Sequence, residues 1–171
     1  SKHKVRIFAE IVDAAELSVE EIISRAQSYV KDGADVIDIG CLPDTGFPHL
    51  EESVQTLKNE GFKVSVDSLD NNELLRGAHA GADYLLSLKE SSLWLADEVD
   101  AVPVLISENH PQIDSLYRSI DKLLSKDKAF IADSILDPIH FGFTESISRY
   151  IELRKNYPNC EIMMGTGNLT E

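Results

Sequence analysis

Ser18–Gly40 reads SVEEIISRAQSYVKDGADVIDIG, and two periods meet in it. Ser18-Val-Glu-Glu21 is a capping box, in which a serine hydroxyl and a glutamate carboxylate satisfy the first free N–H groups of a helix. From there to Lys31, the apolar residues Ile22, Ile23, Ala26 and Tyr29 recur at helical spacing. Gly33 ends that helix. Ala34–Gly40 is then a short apolar run carrying an internal carboxylate, Asp38, which predicts a buried strand. A capped helix that hands over at once to a buried strand is part of a repeating βα pattern, and the rest of the chain decides whether it repeats.

It does. Upstream, Val5–Val12 is apolar and β-branched and predicts a first strand. Downstream, His49–Asn59 predicts a helix stopped by Gly61, and Phe62–Val66 a third strand. Asp70–Ala80 follows as a helix with Gly81 after it. Asp83–Leu88 and Val102–Ile106 predict strands four and five. A helix over about Ile113–Leu124, a sixth strand at Phe130–Ile135, a helix over Thr144–Asn156 and a seventh strand at Glu161–Met164 complete the series. Strands alternating with helices, without hairpin signals, give a parallel sheet. Seven in one unbroken series fit an α/β fold of the (β/α)8 TIM-barrel type better than a Rossmann sheet. A complete barrel takes about 250 residues, whereas this chain has 171. The expectation is therefore a single barrel domain over residues 1–171, cut short after its seventh strand and belonging to a longer chain.

The totals narrow the function classes. Net charge is −14, which disfavours nucleic-acid backbones and anionic membrane surfaces as partners. No run approaches the ~20 apolar residues of a membrane span, and there is no apolar N-terminal signal region, so the expected location is the cytoplasm. Cys41 and Cys160 are the two cysteines and read as reduced thiols at opposite ends of their strands.

In a barrel, chemistry sits at the C-terminal ends of the strands. Strand one leads to Glu10 and Asp13, and strand two carries Asp38 and ends at Gly40-Cys41. Strand three ends at Ser65-Val66-Asp67-Ser68, and strand five at Ser107-Glu108-Asn109-His110. Strand six leads through Asp133 to Asp137, and strand seven ends in GTGN, Gly165–Asn168. Acidic residues from several strands would converge on one axis, where unpaired charge is costly. A ligand with several N–H donors, a metal ion or water would have to offset that cost. Structural readings stand beside these. Asp38 could be a core carboxylate tied to a backbone N–H. Asp67 could cap the next helix, although Asp70 is better placed. Asp137 precedes a proline and could serve a turn, with Asp133 as the alternative strand-end residue. The histidines His49, His79 and His140 lack ligand spacing.

GADVIDIG, VSVD, AGADYLL and LDPIHFGFTES occur in the order and spacing of the pterin-binding, dihydropteroate synthase-like barrels. That pattern has GADIIDxGG after strand two, SVDT after strand three, DPGIGFGK after strand six and GxSRK after strand seven. The resemblance spans nearly the whole chain. It implies a pterin as ligand or substrate, bound by Asp38, Asp67 and Asp137, with Gly165 and Asn168 in the strand-seven loop. It implies Mg²⁺ held at Glu10, where the family has an asparagine. It further implies a transferase in folate- or tetrahydromethanopterin-type cofactor metabolism, and it admits a homodimer.

Departures from the pattern are specific. The strand-four asparagine falls at Leu86 or Ser87. The glycine and lysine of DPGIGFGK are Ile139 and Thr144. The lysine and arginine after strand seven give way to Gly167-Asn168-Leu169, and the STRPG loop is LPDTGFP, Leu42–Pro48. These remove groups that would stabilise a pyrophosphate leaving group. Other readings remain beside the transferase. One is a methyltransferase domain passing a methyl group from a methylated pterin to a corrinoid protein. Another is a sugar-phosphate isomerase or aldolase using Lys89. A third is a non-catalytic module.

Overall fold

The computed structural model describes residues 4–170. Strands and helices alternate as β1 (Phe8–Ile11), α1 (Val19–Lys31), β2 (Val36–Gly40), α2 (Leu50–Asn59), β3 (Val64–Asp67), α3 (Asn71–His79), β4 (Tyr84–Leu88), α4 (Leu95–Glu98), β5 (Val102–Leu105), α5 (Asp114–Ser125), β6 (Ile131–Ala132), α6 (Phe143–Asn156) and β7 (Glu161–Ile162). Every resolved strand pairing is parallel and joins sequence neighbours. Parallel strands taken in chain order, each followed by a helical crossover, are the topology of a (β/α) barrel chain through its seventh strand. Among the described residues no helix is long and apolar enough to cross a membrane.

The chain divides into two compact units. One holds residues 4–86 and 95–101, the other 87–94 and 102–170, so that β4 is shared after Leu86. In the first unit β2 is the most enclosed strand, with all five residues of VIDIG buried. Ile37, Ile39, Val64 and Val66 join Ile22, Leu50, Val54, Leu57 and Leu74 from the helices in a core with almost no exposure. In the second unit, Val104, Leu105, Ile131 and Ala132 of the sheet are buried, as are Leu116, Ile120 and Leu123 of α5 and Leu153 of α6.

Local chemistry sets the element ends. The capping box forms as expected: Glu21 N–H donates to Ser18 Oγ at 3.1 Å and Ser18 N–H to Glu21 Oε2 at 2.8 Å. Asp70 caps α3 by accepting from Asn72 N–H at 2.7 Å, which leaves Asp67 uncommitted to that task. Gly33, Gly61 and Gly81 each follow a helix with φ of 110°, 90° and 109°, a left-handed conformation that favours glycine.

The expected strands all form and each is shorter than expected, with the third displaced by one residue to end at Asp67. The sixth is reduced to Ile131–Ala132 because Asp133 bends the chain. Asp133 N–H still donates to Leu105 O at 2.9 Å, but its carboxylate accepts Ile135 N–H at 2.7 Å and turns the backbone. The one-turn helix α4 and short 3₁₀ turns at Ala14–Glu16, Glu90–Ser92 and Thr166–Thr170 were not expected. Segments of three to five residues are too short to show a periodicity.

Candidate functional site

Sheet register places the acidic residues of the first unit. Glu10 lies opposite Asp38, and Asp38 opposite Ser65. Asp67 is two residues beyond Ser65 on β3, so the period of two returns it to the same face. One carboxylate oxygen from each of Glu10, Asp38 and Asp67 lies within 4.8 Å of the others. The group is graded in depth: Asp38 is 3% exposed, Asp67 half-buried and Glu10 exposed at the rim. Gly40 allows this closeness, since a Cβ there would stand 2.8 Å from Glu10 Oε1 and 3.0 Å from Ile11 O.

Among the described residues, three carboxylates face one another with a single side-chain donor, Ser65 Oγ, which donates to Asp38 Oδ1 at 2.6 Å. The electrostatic consequence is uniform. Burial pushes Asp38 up to about 8; the charge of Asp67 adds to this, and the Ser65 hydrogen bond opposes it. Burial and the charge of Glu10 push Asp67 up to about 6, and burial raises Glu10. The site is thus rich in acceptors, short of donors, and stabilised by whatever brings positive charge or N–H groups. The donor set is all oxygen, which fits a hard divalent cation such as Mg²⁺. It equally fits a ligand edge with N–H donors in a row. Asp13, the other acidic candidate after β1, is held away from this group in a pair with Arg25 at 2.6 Å. Cys41 is half-buried, and burial together with Glu73 and Asp67 pushes its thiol up to about 12, so it is an inert neighbour. Both cysteines are free thiols.

The loops of the second unit gather the remaining sequence candidates. Asp137 accepts from Arg149 Nη2 at 2.5 Å on one oxygen and pairs with His110 Nε2 at 2.7 Å on the other. Burial favours the protonated acid, but the hydrogen bonds from Arg149 and His110 outweigh it, and Asp137 lies below the usual carboxylate range. Asn168 Nδ2 donates to Leu136 O at 3.2 Å, and Ile139 N–H to Leu169 O at 3.3 Å, so the Gly165–Asn168 turn packs on the Asp137 loop. Asp133 is tied by Tyr150 Oη at 2.6 Å and by Ile135 N–H. Burial nonetheless raises its carboxyl. Ile135 has φ of 69°, a left-handed conformation that costs a β-branched residue about 1–3 kcal/mol. Its N–H is held by Asp133, and its carbonyl accepts from Arg149 at 3.4 Å.

The sequence candidates therefore fall into two groups. Glu10, Asp38 and Asp67 come together in the first unit. Asp137, Gly165 and Asn168 come together in the second. Ser65 was missed although the alternation in VSVD puts it on the face of Asp67. Arg149 was missed, and His110, named at the end of strand five, was not paired with Asp137, because each meets it across a separation, 12 and 27 residues, that carries no spacing signal.

No family model matches the chain. An uncharacterized protein of Methanocaldococcus jannaschii is 29% identical over 99% of this chain, which spans about a third (36%) of that protein's length. Among solved structures, the dihydropteroate synthase of Xanthomonas albilineans in complex with 7,8-dihydropteroate aligns with a TM-score of 0.70 at 17% identity, over 96% of this chain and 73% of that one. That of Coxiella burnetii in complex with pteroic acid gives 0.71 at 16%, over 97% and 74%. That of Anaplasma phagocytophilum with bound 6-hydroxymethylpterin-monophosphate gives 0.66 at 17%, over 94% and 78%. The chain has the fold of the dihydropteroate synthases, and at these identities the likeness is one of fold.

Proposed function

We propose that this chain is a pterin-binding domain of the dihydropteroate synthase type, and within that class a transferase taking a pterin as substrate in folate- or methanopterin-type cofactor metabolism. The observation that carries the reading is the acceptor-rich carboxylate group of the first unit. Of the two enclosed carboxylates, Asp38 accepts the Ser65 hydroxyl, and Asp67 lies beside it. The 2-amino group and ring N–H of a pterin present donors in a row. A carboxylate accepts two of them as charge-assisted bonds, stronger than neutral ones. The pterin ligands of the fold neighbours support the same assignment.

In this reading Asp38 and Asp67 bind and orient the ring edge, and Ser65 fixes the Asp38 carboxylate. Glu10, at the rim, with the inner carboxylates beside it, would hold Mg²⁺. When bound, Mg²⁺ supplies positive charge for an anionic leaving group. Positioning and fixed electrostatics account for most of the rate in such a site. Asp137, Gly165 and Asn168 join the reading by resemblance to the family. The arginine and lysine that the family places near the leaving group are absent from the matching positions of this chain, so the leaving group is the part most open to change.

Titration of the 171-residue chain against pterin-type ligands, with and without Mg²⁺ and read by pterin fluorescence quenching, tests this. Saturable binding is expected, weakened at least about thirtyfold by Asp67→Ala, the effect of losing about 2 kcal/mol with one partner of an enclosed charged hydrogen bond. Unchanged affinity in both Asp67→Ala and Asp137→Ala would remove the basis of the proposal.

A further inference from the structure

His110 stands in the loop after β5, and its side chain is 29% exposed. Its Nε2 is 2.7 Å from Asp137 Oδ1. The other oxygen of Asp137 is engaged by Arg149, and an ion pair of this geometry keeps the carboxylate charged. A charged carboxylate can only accept, so the hydrogen in the His110 contact sits on Nε2. A neutral imidazole carries one N–H, so Nδ1 bears a lone pair. Nδ1 has no hydrogen-bond partner among the described residues. The geometry is therefore that of an oriented base: one ring nitrogen fixed by a carboxylate, the other open.

The surroundings hold that orientation in place. Arg149 is mostly buried and bridges Asp137 to the carbonyl of Ile135. Gly142 begins α6 beside the carboxylate, where a Cβ would stand 3.4 Å from Asp137 Oδ2. Asp133 is itself engaged by Tyr150 Oη and by Ile135 N–H.

We propose that His110 is a proton acceptor for a bound ligand at the loops following β5 and β6, with Asp137 and Arg149 as positioning residues. The ligand class is a small molecule with a nucleophilic or acidic N–H or O–H. In the step, that N–H or O–H bond breaks, its electron pair stays on the ligand heteroatom, and the proton joins His110 Nδ1. The imidazolium so formed is stabilised by Asp137. The assignment of His110 does not depend on the transferase reading, and its test contains no pterin.

Two-bond ¹H–¹⁵N correlation spectra of the ¹⁵N-labelled chain, taken where imidazoles are neutral, report the tautomer directly. His110→Gln identifies the signals. The wild-type chain is expected to show the Nε2–H form with a bare Nδ1. Asp137→Asn, whose amide can donate or accept, is expected to give a mixture of tautomers. Acylation by diethyl pyrocarbonate, followed residue by residue by mass spectrometry, reports the open lone pair. His110 is expected to react severalfold more slowly in Asp137→Asn, while Arg149→Lys, which keeps a cation on Asp137, stays near wild type. An Nδ1–H tautomer in the wild-type chain, or equal acylation rates in wild type and Asp137→Asn, would overturn the proposal. The wild-type tautomer is read without altering Asp137, so the test survives should Asp137→Asn fail to fold.

Discussion

Asp38 binds a proton more tightly folded than unfolded, and that fixes the direction of a pH effect. Its carboxyl lies at about 8 in the folded chain against an ordinary value of 3.8, chiefly through burial. Between those values the folded state holds a proton that the unfolded state has released. Stability therefore falls as pH rises through this window, by up to about 1.4 kcal/mol per pH unit for one proton. Asp67, at about 6, adds to the slope in the lower half of the window. Denaturant midpoints of the ligand-free chain are expected to decline from pH 5 to pH 8. Asp38→Asn should remove most of that decline above pH 6, and a flat wild-type profile would contradict the electrostatic description of the site. Asp137 shows the complementary case: Arg149 places a cation on the carboxylate, and its charge is retained.

At the scale of the element, α3 rests on β3 through a glycine. A Cβ at Gly77 would stand 2.6 Å from Val66 Cγ2, and Val66 is wholly buried. Helix propensity alone favours alanine over glycine by about 1 kcal/mol. Overpacking a well-filled core typically costs about 1–3 kcal/mol, so packing wins and Gly77→Ala is expected to destabilise. Shortening the neighbour gives room, so Gly77→Ala should cost clearly less in a Val66→Ala background. A double-mutant cycle by chemical denaturation measures that coupling, and simple additivity would mean that the contact relaxes elsewhere. The same strand carries Ser65 and Asp67 on its other face, so a displaced β3 would also be felt at the carboxylates.

For the whole molecule, the relevant quantity is charge. The chain carries a net charge of −14, and part of it is concentrated where Glu10, Asp38 and Asp67 meet. Any species that binds the folded chain alone stabilises it by mass action, by about 2.7 kcal/mol at a hundred times its Kd. MgCl₂ is expected to raise Tm beyond NaCl of equal ionic strength, since screening of the overall charge is common to both salts. The difference should be larger at pH 8 than at pH 5, where protons compete for the same oxygens. In Asp67→Asn the excess should shrink towards the NaCl value. Equal shifts in both salts at both pH values would count against a cation at the carboxylates.

Much of the architecture was legible in the sequence because it is local. The capping box at Ser18–Glu21, the glycines that stop helices and the apolar runs between them define the βα units without reference to anything distant. Asp38 was legible too, since a carboxylate inside VIDIG needs a reason to be there. What the tertiary structure alone decided is who meets whom. Register brings Glu10, Asp38 and Asp67 together and separates Asp13 from them, in a pair with Arg25. The fold also brings His110 and Arg149 onto Asp137 from different elements. Periodicity encodes which face a residue takes on its own helix or strand. Hydrogen-bond partners remote in sequence are set by how those elements pack, and no local pattern records that.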